Sequence, residues 1–375
     1  MDISDIFKVC VEAVVAVTAG FLGCVALCTS TFIQRQIVYA HKAPIWWGQK
    51  LETPESFGFL RNQVLPLRIH TSDGERLFAW LVSPLALYAH HEQEYLAQSP
   101  RSADGEDVAI RLLNEPDSKL VIYFHGNAGA VGNTRRTDAY RLLTSGAAGG
   151  NVHVLAFDYR GFGRSSGHPT EAGLKEDALS VIAWAQTVGG VATERIVILA
   201  QSLGTAVASA ALNSIIMDEP STKFAGDIMC AAFKDAVSVL TSYKIGGYIS
   251  LFAPLKAMPG MQRWFAARWR DKWETGNSLE SFVRGSQRLR LTFITATCDE
   301  VVLWENTEQL FYAVLDKVVN AHGSRGAIND LCRTRDLGEG GTVQEWREGE
   351  KLVKKVVVRY GGMPAQSPFL RKLHR

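Results

Sequence analysis

The sequence predicts an α/β protein in which helices cover both faces of a mostly parallel sheet of about eight strands. The main observation is an alternation, from Lys119 onward, of short β-rich apolar runs and longer helical patterns. The predicted strands are Leu120–Phe124, Val152–Phe157, Ile196–Leu199, Ile228–Ala232, Leu291–Thr295 and Val353–Tyr360. The predicted helices are Arg135–Leu143, Glu171–Gln186, Thr205–Ile216 and Asn306–Val319. Ligands of such sheets bind beyond the carboxyl ends of the strands, where we expect the functional site.

The second observation is an apolar segment near the N-terminus. Residues Ala13–Ile33 contain no charged side chain, and this length matches the roughly 20 residues that a helix needs to cross a bilayer. Asp2 and Asp5 stand where a cleavable signal peptide usually carries basic residues. We therefore predict a single-pass membrane anchor, with a buried helix of the globular domain as the alternative.

Basic residues are unequally distributed around this segment. Arg35, Lys42 and Lys50 follow it, whereas Lys8 precedes it. The positive-inside rule then favours a cytosolic position for the domain that follows. The pattern does not identify the organelle, for which the endoplasmic reticulum is one candidate.

Two further strands precede the alternating region. Pro66–Thr71 and Leu77–Ser83 flank Ser72-Asp73-Gly74, which is typical of a hairpin turn. A charged, helix-prone insertion, Leu85–Asp117, comes next.

A long segment, Ser242–Gly285, interrupts the alternation between two predicted strands. It interleaves aromatic and basic side chains: Trp264, Phe265, Trp269 and Trp273 with Arg263, Arg268, Arg270 and Lys272. A helix of this kind suits a cap over an apolar pocket or a contact with anionic lipid. Aromatic side chains that only pack on the domain are the alternative.

Composition excludes several functional classes. The chain has 375 residues and a formal net charge of +2, so it lacks the strong field that nucleic-acid binding requires. The six cysteines form no C-x-x-C pair and no Cys/His cluster, which argues against a disulfide framework and a zinc site. We expect neither metal nor cofactor.

The strongest chemical signal is Ala200-Gln201-Ser202-Leu203-Gly204, between a predicted strand and a predicted helix. This is the context of a G-x-S-x-G nucleophile elbow, in which a sharp turn lifts the serine hydroxyl clear of the sheet. Ala200 replaces the first glycine and is small enough to be tolerated. The helix N-terminus also favours negative charge near Ser202. A structural turn serine is the alternative.

Two more glycine-containing loops follow predicted strands. The first is His125-Gly126-Asn127-Ala128-Gly129, and the second runs from Phe157 to Gly167 with the sequence FDYRGFGRSSG. The second loop lacks the lysine and Ser/Thr of a phosphate-binding loop, so it is interpreted as a turn that borders the pocket.

Together, HGNAG, FDYRGFGRSSG and AQSLGTAVA resemble the membrane-anchored branch of the α/β-hydrolase superfamily that contains lysophospholipid and monoacylglycerol lipases. The resemblance runs from about Val38 to Tyr360 and implies the α/β-hydrolase fold. It implies Ser202 as nucleophile and the amides of Asn127 and Leu203 as oxyanion donors.

The resemblance also implies Asp299, which follows the Leu291–Thr295 strand, as the acid of the catalytic triad. Its position agrees with the topology, because the carboxyl end of that strand faces the same edge as Ser202. Asp235 is the reserve candidate, with helix capping as its alternative role. We expect Gly126, Trp264 and Trp269 to contact the substrate.

The sequence departs from the family pattern at the general base. A histidine is expected after the last strand, directly following Gly361-Gly362, but Met363 stands there. Four histidines are candidate substitutes: His125, His168, His322 and His374. His374 keeps the chain order and is retained as the catalytic candidate, and His168 ranks below it. His125 is assigned to the oxyanion loop, and His322 lies too far along its helix.

These observations predict four regions. They are a membrane anchor at 1–37 with its span at 13–33, a juxtamembrane region with the first strands and the charged insertion at 38–118, the hydrolase core at 119–362 with a cap insertion at 242–285, and an atypical basic tail at 363–375. Two functions follow. The first is a serine hydrolase of lipid-like carboxylic esters, with the bilayer and its substrate as partners. The second is a catalytically impaired homologue that binds lipid or protein.

Overall fold

A computed structural model describes residues 2–42, 50–98, 107–146, 151–242, 252–319 and 324–361. Its strands are β1 Val64–His70, β2 Arg76–Val82, β3 Lys119–Phe124, β4 Val152–Phe157, β5 Ile196–Gln201, β6 Gly226–Cys230, β7 Leu289–Ala296, β8 Arg333–Asp336, β9 Thr342–Glu348 and β10 Lys351–Val358. They form one sheet in the order β1-β2-β4-β3-β5-β6-β7-β10-β9-β8. The six strands from β4 to β10 in this order are parallel, and the outer strands pair antiparallel. The predicted fold class is confirmed.

The helices lie before, between and after these strands. They are α1 Ile3–Leu27, α2 Thr31–Tyr39, α3 Leu85–His90, α4 Glu92–Ala97, α5 Val108–Leu113, α6 Thr134–Thr144, α7 Glu171–Thr187, α8 Leu203–Asp218, α9 Ala236–Ser242, α10 Pro259–Arg268, α11 Thr275–Gly285, α12 Trp304–Val319 and α13 Arg325–Leu331. The four helices predicted between strands correspond to α6, α7, α8 and α12. Short 3-10 turns occupy Pro54–Phe57, Thr193–Arg195, Ala253–Ala257 and Gly338–Gly340.

The sheet is covered on both faces because its strands send alternate side chains to opposite sides. In β2, Leu77, Ala79 and Leu81 enter one apolar cluster, which includes the buried side chains of α7 and α8. Phe78 and Trp80 enter the other cluster, with Tyr140 of α6. Burial on both faces explains why the central strands read as continuous apolar runs.

Two strands at one edge were not predicted. All four residues of β8, Arg333–Asp336, are exposed, and β9 carries polar side chains over much of its length. These segments lack the apolar run or alternation from which strands are recognised in sequence. They join the sheet by pairing with β10, whose own sequence is apolar enough to be recognised.

The N-terminal apolar segment forms α1. Within it, Ser4–Leu27 is long and apolar enough to cross a membrane, and only 6% of its most apolar window is buried. A signal sequence near the N-terminus can have the same length and apolar composition. The helix starts before the predicted span and ends at Leu27, ahead of the predicted limit at Ile33.

A short helix connects α1 to the globular part of the chain. Gln34 of α2 is 4% exposed, and its side-chain amide donates to the carbonyl oxygens of Cys28, Thr29 and Arg268 at 3.1, 3.3 and 3.0 Å. Its side-chain oxygen accepts from the Arg270 amide at 3.1 Å. One buried side chain therefore joins the end of α1 to the segment that follows α10.

The insertion between β6 and β7 contains α9, α10 and α11. Of these, α11 packs closely against α8 and α12. In and after α10, Phe265, Trp269 and Trp273 are buried, whereas Trp264 is 41% exposed. The guanidinium of Arg268 lies 4.2 Å from the centre of the Trp264 ring. The inner aromatic side chains thus fix this segment to the domain while Trp264 faces outward.

Burial of Asp227 in β6 predicts a pH-dependent stability. The residue is 3% exposed, and burial raises the pKa of its carboxyl to about 7. The unfolded chain ionises near pH 4, so between about pH 4 and 7 the folded state retains a proton that the unfolded state has lost. The free energy of unfolding therefore falls as pH rises through this window.

We expect the Asp227→Asn variant to gain stability relative to the parent as pH rises from about 4 to 7, and to hold that gain above pH 7. Urea unfolding of the detergent-solubilised chain across this range measures the difference. Asp330→Asn, an exposed residue of α13, is the control. A stability difference for Asp227→Asn that does not vary with pH would contradict the assigned burial.

Candidate active site

Four loops meet at the carboxyl edge of the parallel strands. The loop after β3 begins at His125, Ser202 directly follows β5, Asp299 follows β7, and β10 leads to Gly361. In the sheet, β3 lies next to β5, β6 separates β5 from β7, and β7 lies next to β10. The topology therefore brings residues that are far apart in sequence to one edge.

Ser202 occupies a strained turn between β5 and α8. Its φ of 50° and ψ of −119° are unusual for a residue with a side chain. The amide of Ser202 donates to the carbonyl of Cys230 at 2.9 Å, and both the amide and the hydroxyl of Thr205 donate to the Ser202 carbonyl. Among the described residues, its side chain makes no capping bond to α8. The backbone is thus fixed while the hydroxyl is left at the helix N-terminus.

Gly204 allows this turn to lie close to β3, and Gly126 lies beside it. A Cβ on Gly204 would lie 2.2 Å from the carbonyl oxygen of Phe124, a distance that no real side chain shows. A Cβ on Gly126 would lie 3.4 Å from the Cβ of Ser202. The glycine at position 204 is therefore a steric requirement, whereas Ala200, fully buried in β5, is accommodated.

The predicted oxyanion donors belong to two segments that meet at Ser202. Leu203 is the first residue of α8, so its amide has no acceptor within the helix. Asn127 is exposed and follows Gly126, whose backbone lies beside Ser202. The two segments that carry these amides are adjacent in space.

The loop after β3 is held by a side chain that sequence analysis missed. Arg136 of α6 is 6% exposed, and its guanidinium donates to four carbonyl oxygens of this loop. The acceptors are Gly126 at 3.1 Å, Asn127 at 3.3 Å, Ala128 at 2.6 Å and Ala130 at 2.8 Å. A buried cation with several carbonyl partners holds each peptide unit in one orientation. Nothing in the local sequence of α6 distinguishes this arginine from Arg135.

His125 is part of the same loop and is neutral. Its Nδ1 lies 2.6 Å from the Gly126 carbonyl oxygen, which can only accept, so Nδ1 carries the proton. Burial lowers the pKa of His125 well below its ordinary value. Burial also raises the pKa of Asp158, whose carboxylate lies 3.7 Å from His125 Nε2, to about 7. The arrangement fits a residue that stabilises the loop.

The two candidate acids differ in burial, although each accepts from backbone amides that follow it in sequence. Asp299 is buried, and its Oδ1 accepts from the amides of Val301 and Val302 at 2.9 Å each. Asp235 accepts from the Ser238 amide at 2.7 Å, as expected of a residue that caps the start of α9. Helix capping thus accounts for Asp235.

The chain after β10 runs beside the turn that contains Asp299. The Thr297 amide donates to the Val358 carbonyl at 2.9 Å, and the Thr297 hydroxyl donates to the Arg359 carbonyl at 3.1 Å. Gly361 then turns with a φ of 104°. Met363 and the candidate bases His322 and His374 lie outside the described residues, and His168 is exposed on the loop before α7. The assignment of His374 remains a prediction.

A cavity of about 590 Å³ lies between α10 and the start of α9. Its walls include Lys234, Ser238, Arg263 and Ala266. The loop that contains Lys234 leaves the carboxyl end of β6, which neighbours β5, so the cavity adjoins the edge that carries Ser202. Among the described residues, neither Ser202 nor the two predicted substrate-contacting tryptophans line it. Trp269 packs against Phe265 inside the insertion, and Trp264 faces outward.

The fold and the strained serine turn define a class of protein that comparison with known families identifies. A model described as the alpha/beta hydrolase family matches residues 121–372, which is more than half of the chain. The chain therefore belongs to the α/β hydrolase family.

Curated relatives and solved structures agree with this assignment. The chain is 29% identical to the lysophosphatidylserine lipase ABHD12 of Xenopus tropicalis over 178 residues, covering 47% of this chain and 41% of that protein. It is 30% identical to the same lipase of Gallus gallus over 186 residues, covering 49% and 43%. The matched region thus spans less than half the length of these relatives. An alpha-beta hydrolase from Vibrio vulnificus shares the fold, with 14% identity, a TM-score of 0.50 and coverage of 78% and 83%.

The Arg136 network predicts an unusually large effect of one substitution. In Arg136→Met, four buried or partly buried carbonyl bonds lose their charged donor, which should lower the free energy of unfolding by about 2–5 kcal/mol. Arg135→Met, on the same helix, removes an exposed arginine and should cost much less. Denaturant unfolding followed by circular dichroism measures both. If both variants lost the same free energy of unfolding, the hydrogen bonds from Arg136 to the loop would not contribute to stability as predicted.

Proposed function

We propose that this α/β hydrolase is a serine hydrolase that cleaves carboxylic esters through an acyl-Ser202 intermediate. The observation that carries the proposal is the backbone of Ser202, whose strained φ and ψ present its hydroxyl at the N-terminus of α8 and beside the Gly126 loop. Turns of this geometry are costly and persist where a side chain must be presented for chemistry.

In the proposed reaction, Ser202 Oγ attacks the ester carbonyl carbon while its proton passes to a general base. Negative charge develops on the carbonyl oxygen, where the amides of Leu203 and Asn127 would stabilise it. The base returns the proton to the departing alcohol as the ester C–O bond breaks. Water then attacks the acyl-serine, again losing a proton to the base, and releases the carboxylic acid and free Ser202.

Asp299 would orient the base in this scheme. Its Oδ1 is held by two backbone amides, and it lies in the turn that contacts the chain leaving β10. A carboxylate fixed at this point can accept a hydrogen bond from a histidine that follows Gly361, which keeps the imidazole in the tautomer that accepts the serine proton.

The proposed substrates are lipid-like esters, such as a lysophospholipid or a monoacylglycerol. The curated relatives are lysophosphatidylserine lipases, and α1 has the length and composition of a single membrane-spanning helix. The cavity beside α10 has a volume suited to part of an acyl chain. A membrane-anchored enzyme would meet such substrates at the bilayer surface.

A second function is favoured by one residue. Met363 stands directly after Gly361-Gly362, where the family's histidine is expected, and a methionine thioether cannot accept the serine proton at neutral pH. Unless another histidine such as His374 replaces it, the chain would bind lipid or a protein partner without turnover.

We expect a fluorophosphonate probe to label the chain and Ser202→Ala to abolish the labelling, because the probe reacts only with an activated serine. Ser209→Ala is the matched control, since Ser209 lies on the same helix and is buried. Gel fluorescence of the detergent-solubilised chain measures labelling. Unchanged labelling in Ser202→Ala would exclude Ser202 as the reactive serine.

If the non-catalytic alternative holds, Met363→His should raise the rate of ester hydrolysis by at least about 10²-fold, the contribution typical of a positioned general base. Met217→His, an exposed methionine at the end of α8, is the control for adding an imidazole elsewhere. Turnover of a monoacylglycerol by the unmodified chain would defeat the non-catalytic alternative. If that turnover disappears in His374→Ala, the tail histidine is the base.

A further inference from the structure

The outer face of α10 is basic and aromatic. Residues 252–270 contain four basic side chains, Lys256, Arg263, Arg268 and Arg270, and neither aspartate nor glutamate. Arg263, Trp264 and Arg268 are exposed. In a chain whose formal net charge is only +2, this is a local concentration of positive charge.

The aromatic and basic side chains of this face are ordered with respect to each other. The Arg268 guanidinium stacks 4.2 Å from the Trp264 ring centre, and its Nη1 donates to the Trp264 carbonyl at 3.3 Å. On the opposite side, Phe265 is fully buried and stacks on Phe252. The helix is therefore held to the domain by one face and presents an exposed indole flanked by arginines on the other.

The position of α10 relative to α1 is set by Gln34. This side chain bonds to the carbonyls of Cys28 and Thr29, just past the end of α1, and to the carbonyl of Arg268 at the end of α10. The Tyr39 hydroxyl adds a second tie, to Asp271, at 2.9 Å. If α1 crosses a bilayer, its end at Leu27 lies at the membrane surface. The end of α10 is then close to that surface, because the single side chain of Gln34 bonds to both segments.

We propose that α10 lies in the surface of an anionic bilayer, with Trp264 among the lipid headgroups and Arg263 and Arg268 against lipid phosphates. Indole rings favour the interface because their apolar body and N–H group suit its mixed polarity, and arginines are attracted by anionic headgroups. The proposal rests on the proposed anchor α1.

This placement would also connect the bilayer to the site. Gln262 and Ala266 of α10 line the cavity whose far wall includes Lys234 and Ser238, next to the edge that carries Ser202. Arg263 is exposed and also lines this cavity, so a phosphate bound to its guanidinium would lie at the border of the cavity.

The test uses the full chain reconstituted into vesicles of equal parts phosphatidylcholine and phosphatidylserine, with bromine on acyl carbons close to the headgroup. Bromine quenches tryptophan fluorescence only at short range. We expect the bromine-quenched part of the tryptophan fluorescence to decrease in Trp264→Phe. It should stay the same in the control Trp184→Phe, because Trp184 lies near the end of α7 that points away from the Ser202 edge. Equal quenching losses in the two variants would overturn the proposal.

A second arm tests charge. Arg263→Gln with Arg268→Gln should reduce the quenching of Trp264 in the anionic vesicles toward the level in pure phosphatidylcholine. Arg333→Gln with Arg335→Gln, an equal change of charge on the exposed strand β8, should leave it unchanged. Similar effects of both double variants would contradict a specific lipid contact at α10.

Flotation of the vesicles at alkaline pH separates this proposal from the anchor. If the chain did not float with the lipid, the result would contradict both the membrane anchor α1 and the placement of α10 in the bilayer surface. A chain that floats without quenching of Trp264 would overturn the placement of α10 alone. Neither result depends on ester hydrolysis, which the fluorophosphonate experiment tests independently.

Discussion

The contact on which the site depends is the close packing of the turn after β5 against the end of β3. Gly204 leaves room for the carbonyl of Phe124, and any larger residue would push α8 away from the sheet. Because α8 starts at Leu203, this contact also sets where its N-terminus lies. The strained backbone of Ser202 is stabilised by bonds to Cys230 and Thr205, so the surrounding structure compensates for an unfavourable local conformation.

Buried polar side chains hold the loop after β3 in place. Arg136 binds four carbonyl oxygens of this loop, while His125 and Asp158 beside it are shifted toward their neutral forms. An arginine remains charged when buried, whereas histidine and aspartate can change their protonation state to avoid the cost. The result is one fixed positive charge behind the loop that carries the proposed oxyanion donor, and such a charge adds to the stabilisation of a developing oxyanion.

The insertion between β6 and β7 connects two parts of the molecule that are distant in sequence. Its buried aromatic side chains pack on the domain. Its backbone accepts one hydrogen bond from the Gln34 side chain, at the Arg268 carbonyl, and donates another to it, from the Arg270 amide. Consequently the short helix α2 and the insertion are joined by hydrogen bonds of one buried side chain.

The sequence by itself determined the central sheet, its covering helices and the serine turn. Those features depend on local patterns, namely apolar runs, helical periodicity and a small-residue turn at Ala200–Gly204. Only the tertiary structure revealed the role of Arg136 and the bond from Gln34 to a carbonyl 234 residues away, and it decided between the two roles that the sequence left open for Asp235 in favour of helix capping. It also added β8 and β9, which are held by pairing rather than by their own composition. The reason is physical: a local pattern shows what a segment can form, whereas a buried polar contact depends on which distant backbone groups the fold brings within reach.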